Sequence, residues 1–230
     1  MTRHQLAQYR KEKKRTQVQT AQALGVSQTY LSLVEAGKRP LTERLQGKAA
    51  RFFDLPPTEV PTQLTTGDLL TVTDDQLASD LANLGYTRFS HLKKTRTHKK
   101  NPADVLLRAL NARKRDARLV EALPWLLLSF PDLKWNEVSR TAKMHDLQNR
   151  LGYVTNVARR VAEREGRYET ASKLRKHEVE LERSLLAREE TLCNETMTQT
   201  ERNWLAHNRP EEAKHWHVLT DLSPQHLSYV

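Results

Sequence analysis

With 230 residues, 38 Lys/Arg against 28 Asp/Glu and a formal charge of +10, the chain is long enough for one large or two ordinary domains and suits a polyanionic partner. One cysteine, Cys193, excludes a disulfide scaffold and a cysteine-rich zinc site, and 7 Gly among 29% charged residues favours helices. The longest apolar run, Trp125–Leu128, is far short of the roughly 20 residues a membrane span needs, and the start MTRHQLAQYRKEKKR lacks the apolar stretch of a secretory signal. The expectation is a cytoplasmic all-α protein with no membrane contact, an N-terminal bundle of four to five short helices and a larger C-terminal helical domain.

In chain order, Leu6, Tyr9 and Arg10 begin a first helix. Residues 17–24 form a second, ended by Gly25, whose missing Cβ permits the left-handed turn. Ser27 caps a third over 28–36, closed by Gly37, and Thr42 caps a fourth to about Phe53. The three prolines of DLPPTEVPTQLTTG end this domain near residue 58. Residues 59–100 read as a linker with short helices (74–84 with Gly85 after it, then a short segment to 92) and a basic exposed loop, KKTRTHKKN, over 93–101. Residues 101–230 read as one helical domain for dimerisation or partner binding.

Within that domain, Asn101-Pro102 is a helix start, with Val105, Leu106, Ala109 and Leu110 on one face. Pro124 is expected to kink or restart the apolar helix 116–129. Trp125–Leu128 and Phe130 read as core, a dimer face being the alternative. Val138, Ala142, Leu147, Leu151, Val154, Val157, Ala158 and Val161 fit one helical period from Trp135 to Glu165, with Gly152 either a close helix contact or a break and Gly166 as its stop. A charged helix is expected over 168–190 and a last one over 197–217, containing Trp204, Leu205 and Trp216. No stretch alternates as a sheet would.

The charge is unevenly placed. Residues 1–55 carry 11 Lys/Arg against 4 Asp/Glu, and residues 91–118 carry 10 against 2, while the remainder is acidic or near neutral. A nucleic acid would be held by these islands, since phosphate affinity comes from counterion release at Lys/Arg contacts. A solvated helix face is the competing explanation for either.

Residues 16–40, TQVQTAQALGVSQTYLSLVEAGKRP, resemble the Cro/repressor-type (XRE family) helix-turn-helix regulators. The matching positions are Thr16, Gln17, Ala21, Leu24, Gly25, Val26, Ser27, Leu31, Ser32, Glu35 and Gly37 to Pro40. Thr20 stands where that family more often has Leu, and Lys14-Arg15 replace a common Gly. The resemblance covers about residues 3–55. It implies that the helix 28–35 enters the major groove of double-stranded DNA with Gln28, Thr29 and Ser32 as base readers. Arg10, Thr16, Gln17, Lys38 and Arg39 would contact phosphate. Tyr30 is placed with them, packing being its alternative, and Glu35 is expected to pair with a base such as Arg39. A homodimer on a palindromic operator and repression are the expected mode of action, since one such motif touches one half-site. The stretch from DARLVEALPWLLL to AKMHDLQNRLGYVTNVAR is similar to regions beside such domains in regulators encoded next to toxin genes. An antitoxin that neutralises a partner toxin is therefore the alternative.

No cofactor, metal site or enzymatic activity is expected. Two Arg-to-His spacings of the kind used by HEPN-type helical nucleases occur, Arg140/His145 and Arg202/His207, but two residues are a weak pattern in a chain with 9 His. His215 and His217 point about 200° apart on a helix and would not converge on a metal. Cys193 lies in the polar stretch ETLCNETM, where an incidental thiol outweighs a redox sensor.

Overall fold

The computed structural model describes residues 3–60, 62, 69, 72–93 and 99–229. Residues 94–98 of the expected basic loop, and most of 61–71, lie outside that set. The chain divides into two compact units, Met1–Gln63 with His98–Asn101, and Leu64–Thr97 with Pro102–Val230.

The first unit holds α1 (Arg3–Glu12), α2 (Gln17–Leu24), α3 (Gln28–Glu35) and α4 (Glu43–Phe52), followed by a 3-10 turn at Pro57–Glu59. Its boundaries are chemical. Thr16, Ser27 and Thr42 each accept a backbone N–H at the start of α2, α3 and α4. Thr16 also forms a reciprocal capping box with Gln19. Gly25 ends α2 at φ 67°, and the Lys48 ammonium caps the Leu24 carbonyl at 2.8 Å. Leu6, Ala21, Leu24, Leu31, Val34, Leu45, Ala49 and Phe53 form the core. Thr20 is fully buried in it, and its hydroxyl has no hydrogen-bond partner among the described residues.

The second unit is built around one long helix. Its elements are α5 (Asp74–Leu84), a 3-10 segment Thr87–Leu92, α6 (Pro102–Leu110), α7 (Ala117–Ser129), α8 (Trp135–Met144), α9 (Gln148–Arg164) and α10 (Tyr168–Glu182). Then come β1 (Glu190–Thr191), α11 (Gln199–Asn208), α12 (Glu211–His215), β2 (Val218–Leu219) and a 3-10 turn at Pro224–His226. α9 packs along α10 and against α7. Gly152 of α9 is the close contact: a Cβ there would lie 2.0 Å from the fully buried Trp216 ring. Glu178 of α10 is buried and receives Asn156 at 2.8 Å and Arg159 at 2.5 Å from α9.

Several expectations need correction. The helix expected over 135–165 is two, because Asp146 adopts φ 56° and Leu147 N–H returns to the Ala142 carbonyl at 2.8 Å. A short polar side chain tolerates that conformation without glycine. The stretch 197–217 is also broken, at Pro210, which leaves Arg209 extended before it. The helix beginning at 168 stops at Glu182. α7, by contrast, runs unbroken through Pro124, held by buried Leu119, Leu123, Leu126 and Leu127 on both sides of it. β1 and β2 pair in parallel, Glu190 opposite Val218 and Thr191 opposite Leu219. Two residues per strand are too few to register as alternation.

α6 is buried on more than one face, since Leu107 is as inaccessible as Leu106 and Leu110. Leu126, Leu127 and Leu128 are core, and Trp125 and Phe130 pack half-buried against it. Trp204 is 58% exposed, unlike its neighbour Leu205. Cys193 is fully buried despite its polar sequence surroundings, with Sγ 3.5 Å from the Ala109 carbonyl oxygen. Burial pushes its thiol up to about 11, so it is not poised as a thiolate.

Candidate nucleic-acid interface

A polar chain crosses the first unit and ends on the exposed start of α3. Glu35, at the end of α3, accepts both arms of the Arg10 guanidinium from α1, Nε at 2.7 Å and Nη2 at 2.9 Å. The side chains are 13% and 7% exposed. Burial pushes the Glu35 carboxyl up, but hydrogen bonds from Arg10 and Gln17 and the Arg10 charge outweigh it, and the carboxyl lies below the ordinary glutamate value. Gln17, the first residue of α2, donates Nε2 to Glu35 Oε2 at 2.8 Å. Gln28, the first residue of α3, donates Nε2 to Gln17 Oε1 at 3.2 Å.

This order fixes which way each amide points. A carboxylate only accepts, so Gln17 must present its NH2 to Glu35 and its oxygen to Gln28. Gln28 must then present its NH2 to Gln17. One Gln28 N–H and the Gln28 carbonyl oxygen remain, which is the donor–acceptor pair an adenine edge requires.

The other expected residues fall as follows. Gln28 and Thr29 are exposed at the start of α3, and Ser32, one turn on, is half-buried. Tyr30 is half-buried and packs against the core of the first unit. Thr16 is exposed while its hydroxyl oxygen caps α2. Lys38 and Arg39 are exposed, and their backbone N–H groups both close on the Leu33 carbonyl at 2.8 and 3.1 Å after the left-handed Gly37. Arg10 is placed differently from the exposed Lys38 and Arg39. Its guanidinium is engaged by Glu35, and its Nη1 also donates to the Arg15 carbonyl at 3.1 Å, so it holds Gln17's partner in place. Glu35 correspondingly pairs with Arg10, not Arg39. Sequence spacing could not show this, because the pair is 25 residues apart. The exposed Lys14 and Arg15, directly before Thr16, add cations at the start of α2.

Three arginines of the second basic island are paired within the second unit, one of them with its side chain buried. Arg115 is buried and bonds Asp74 at 2.8 Å and the Val72 carbonyl at 2.6 Å. Arg113 pairs with Glu195 and Arg118 with Asp116. The two Arg/His spacings meet different fates. Arg202 donates to the Glu195 and Met197 carbonyls, and His207 Nδ1 contacts the Asn203 carbonyl. Arg140 is exposed on α8, and His145 follows the end of that helix. His215 contacts Glu182, whereas His217 contacts the Leu186 carbonyl.

Residues 3–63, about a quarter of the chain, match the family model described as a helix-turn-helix domain. No curated protein and no solved structure matches the chain. With the caps, the Gly25 turn and the exposed start of α3 in register with that match, residues 3–63 are a helix-turn-helix domain of the Cro/repressor type.

Proposed function

We propose that the protein is a sequence-specific transcriptional repressor that acts as a dimer on a palindromic operator, by binding rather than by catalysis. The observation that carries this reading is the oriented Gln28 amide. It stands exposed at the start of α3 and is held through Gln17 by the Arg10–Glu35 pair. A side chain held in one orientation loses less entropy on binding and offers one hydrogen-bond pattern to the groove, which favours one base over the others. Thr29 and Ser32 read neighbouring positions, and Thr16, Gln17, Lys38 and Arg39 hold phosphate. The second unit supplies the contact that brings two reading domains to two half-sites. Selection of bound fragments from a random DNA pool tests this. A palindrome with half-sites about 10 base pairs apart is expected; no enrichment, or enrichment of a lone half-site, overturns it.

A further inference from the structure

The second unit contains a cleft of about 190 Å³ that the DNA-binding reading does not use. It opens between the start of α7, the segment after β1, α11 and the tail 218–227. Its floor is apolar and fixed: Val120, Leu192, Leu205, Leu219 and Leu222 line it, each at most 9% exposed. The tail that forms one wall is pinned through its own carbonyls. Tyr153 reaches Leu222, Arg164 reaches Pro224, and Arg209 reaches Val218. The opening is thus built into the fold rather than left by a loose segment. A cavity of about 150 Å³ already accepts benzene, so this one admits a ligand slightly larger.

The charged groups around it are mainly acidic, the other titratable residues of its lining being Arg115 and the exposed His226. Glu121 and Asp221 line the cleft. Asp221 is exposed and has neither hydrogen bond nor ion pair among the described residues, which is notable in a chain of net charge +10. Among the described residues the Glu121 carboxylate has only a 3.5 Å contact, with the half-exposed Arg88. The one cation deep in the wall, Arg115, is already engaged by Asp74 and by the carbonyls of Val72 and Arg108. An anionic ligand would meet two carboxylates and no free arginine. An ammonium would meet carboxylates that have little else to bind.

We propose that this cleft binds a small amphipathic amine, its apolar body on the leucine floor and its ammonium toward Asp221 and Glu121. The test uses the full chain with methyl-labelled leucine and valine, observed by NMR, and three near-isosteric probes: phenethylamine, 2-phenylethanol and phenylacetate. Phenethylamine should move the methyl signals of Leu205, Leu219 and Leu222 and bind about tenfold more tightly than either analogue, as expected for a charge-assisted hydrogen bond at a partly shielded site. Asp221→Asn should remove about that tenfold preference while leaving the spectrum of the free protein in place. Unmoved methyls at millimolar amine, equal binding of phenylacetate, or an Asp221→Asn variant that keeps the full preference would each overturn the proposal. No DNA enters the measurement, so its result is independent of the repressor reading.

Discussion

Replacing Glu35 with Gln should uncouple the first unit's stability from that of the second. The substitution keeps the shape and one acceptor but leaves the Arg10 guanidinium, 13% exposed, without its counter-charge. Breaking one side of a largely buried pair costs about 3 kcal/mol. For a domain of this size that is a fall in melting temperature of roughly 15 °C. All four tryptophans lie at positions 125, 135, 204 and 216, in the second unit. Far-UV circular dichroism should therefore report an early transition that tryptophan fluorescence does not follow. The pH dependence carries the same signature. The Glu35 carboxyl is depressed in the folded state, so its contribution is present above the unfolded value of about 4.3 and is lost as pH falls through the lower folded value. The wild-type first unit should weaken below pH 4, and Glu35→Gln should be flatter there. A double variant, Arg10→Met with Glu35→Leu, should restore most of the stability, because an apolar pair of similar volume replaces a buried ion pair at little cost. It should nonetheless lose operator selectivity, since Gln17 no longer has the acceptor that orients it toward Gln28. Anisotropy titrations against the selected operator and a base-substituted copy measure this. If the double variant is stable and discriminates as well as wild type, the orienting role of the pair is refuted.

Gln28→Ala should cost about 1–3 kcal/mol at the preferred site and relax selectivity at one base pair only, measured by competition with single-base operator variants. Arg39→Ala should weaken binding to all sequences alike and reduce the slope of log K against log salt by about 1, which an unchanged slope would contradict. Thr20→Val should stabilise the first unit by about 1 kcal/mol, because it removes a buried hydroxyl that has no partner; a loss of stability in urea titration would show that the hydroxyl is bonded in solution. Gly152→Ala should destabilise the second unit by about 3 kcal/mol or more, as its methyl would overlap the Trp216 ring. Its tryptophan-detected midpoint should fall while the first unit's transition stays in place.

Much of the first unit was legible because its determinants are local. A hydroxyl three residues before the N–H it caps, a glycine at a left-handed turn, and apolar residues on one helix face all act within a few positions of the chain. Gln28 and Thr29 could be placed at the exposed start of α3 by the same reasoning. What was illegible is what orients Gln28. Arg10 reads from its position as a cation for phosphate, and only the fold brings it against Glu35. The breaks at Asp146 and within 197–217 show the opposite weakness. An aspartate in a left-handed turn leaves the apolar period intact on both sides, and Pro210 interrupts a stretch whose Trp204, Leu205 and Trp216 read as one helix.

The basic segment 91–118 marks the division most clearly. By itself the sequence determined the charge, the all-helical class and the exposed start of α3, because composition, periodicity and capping are properties of neighbours along the chain. Only the tertiary structure decided which charges are free. Arg115 is drawn inward by Asp74, 41 residues away, whereas Arg113 stays exposed beside Glu195 and Lys38 and Arg39 remain exposed. A buried cation must find a partner, and that partner is supplied by packing between distant segments, which no local pattern records.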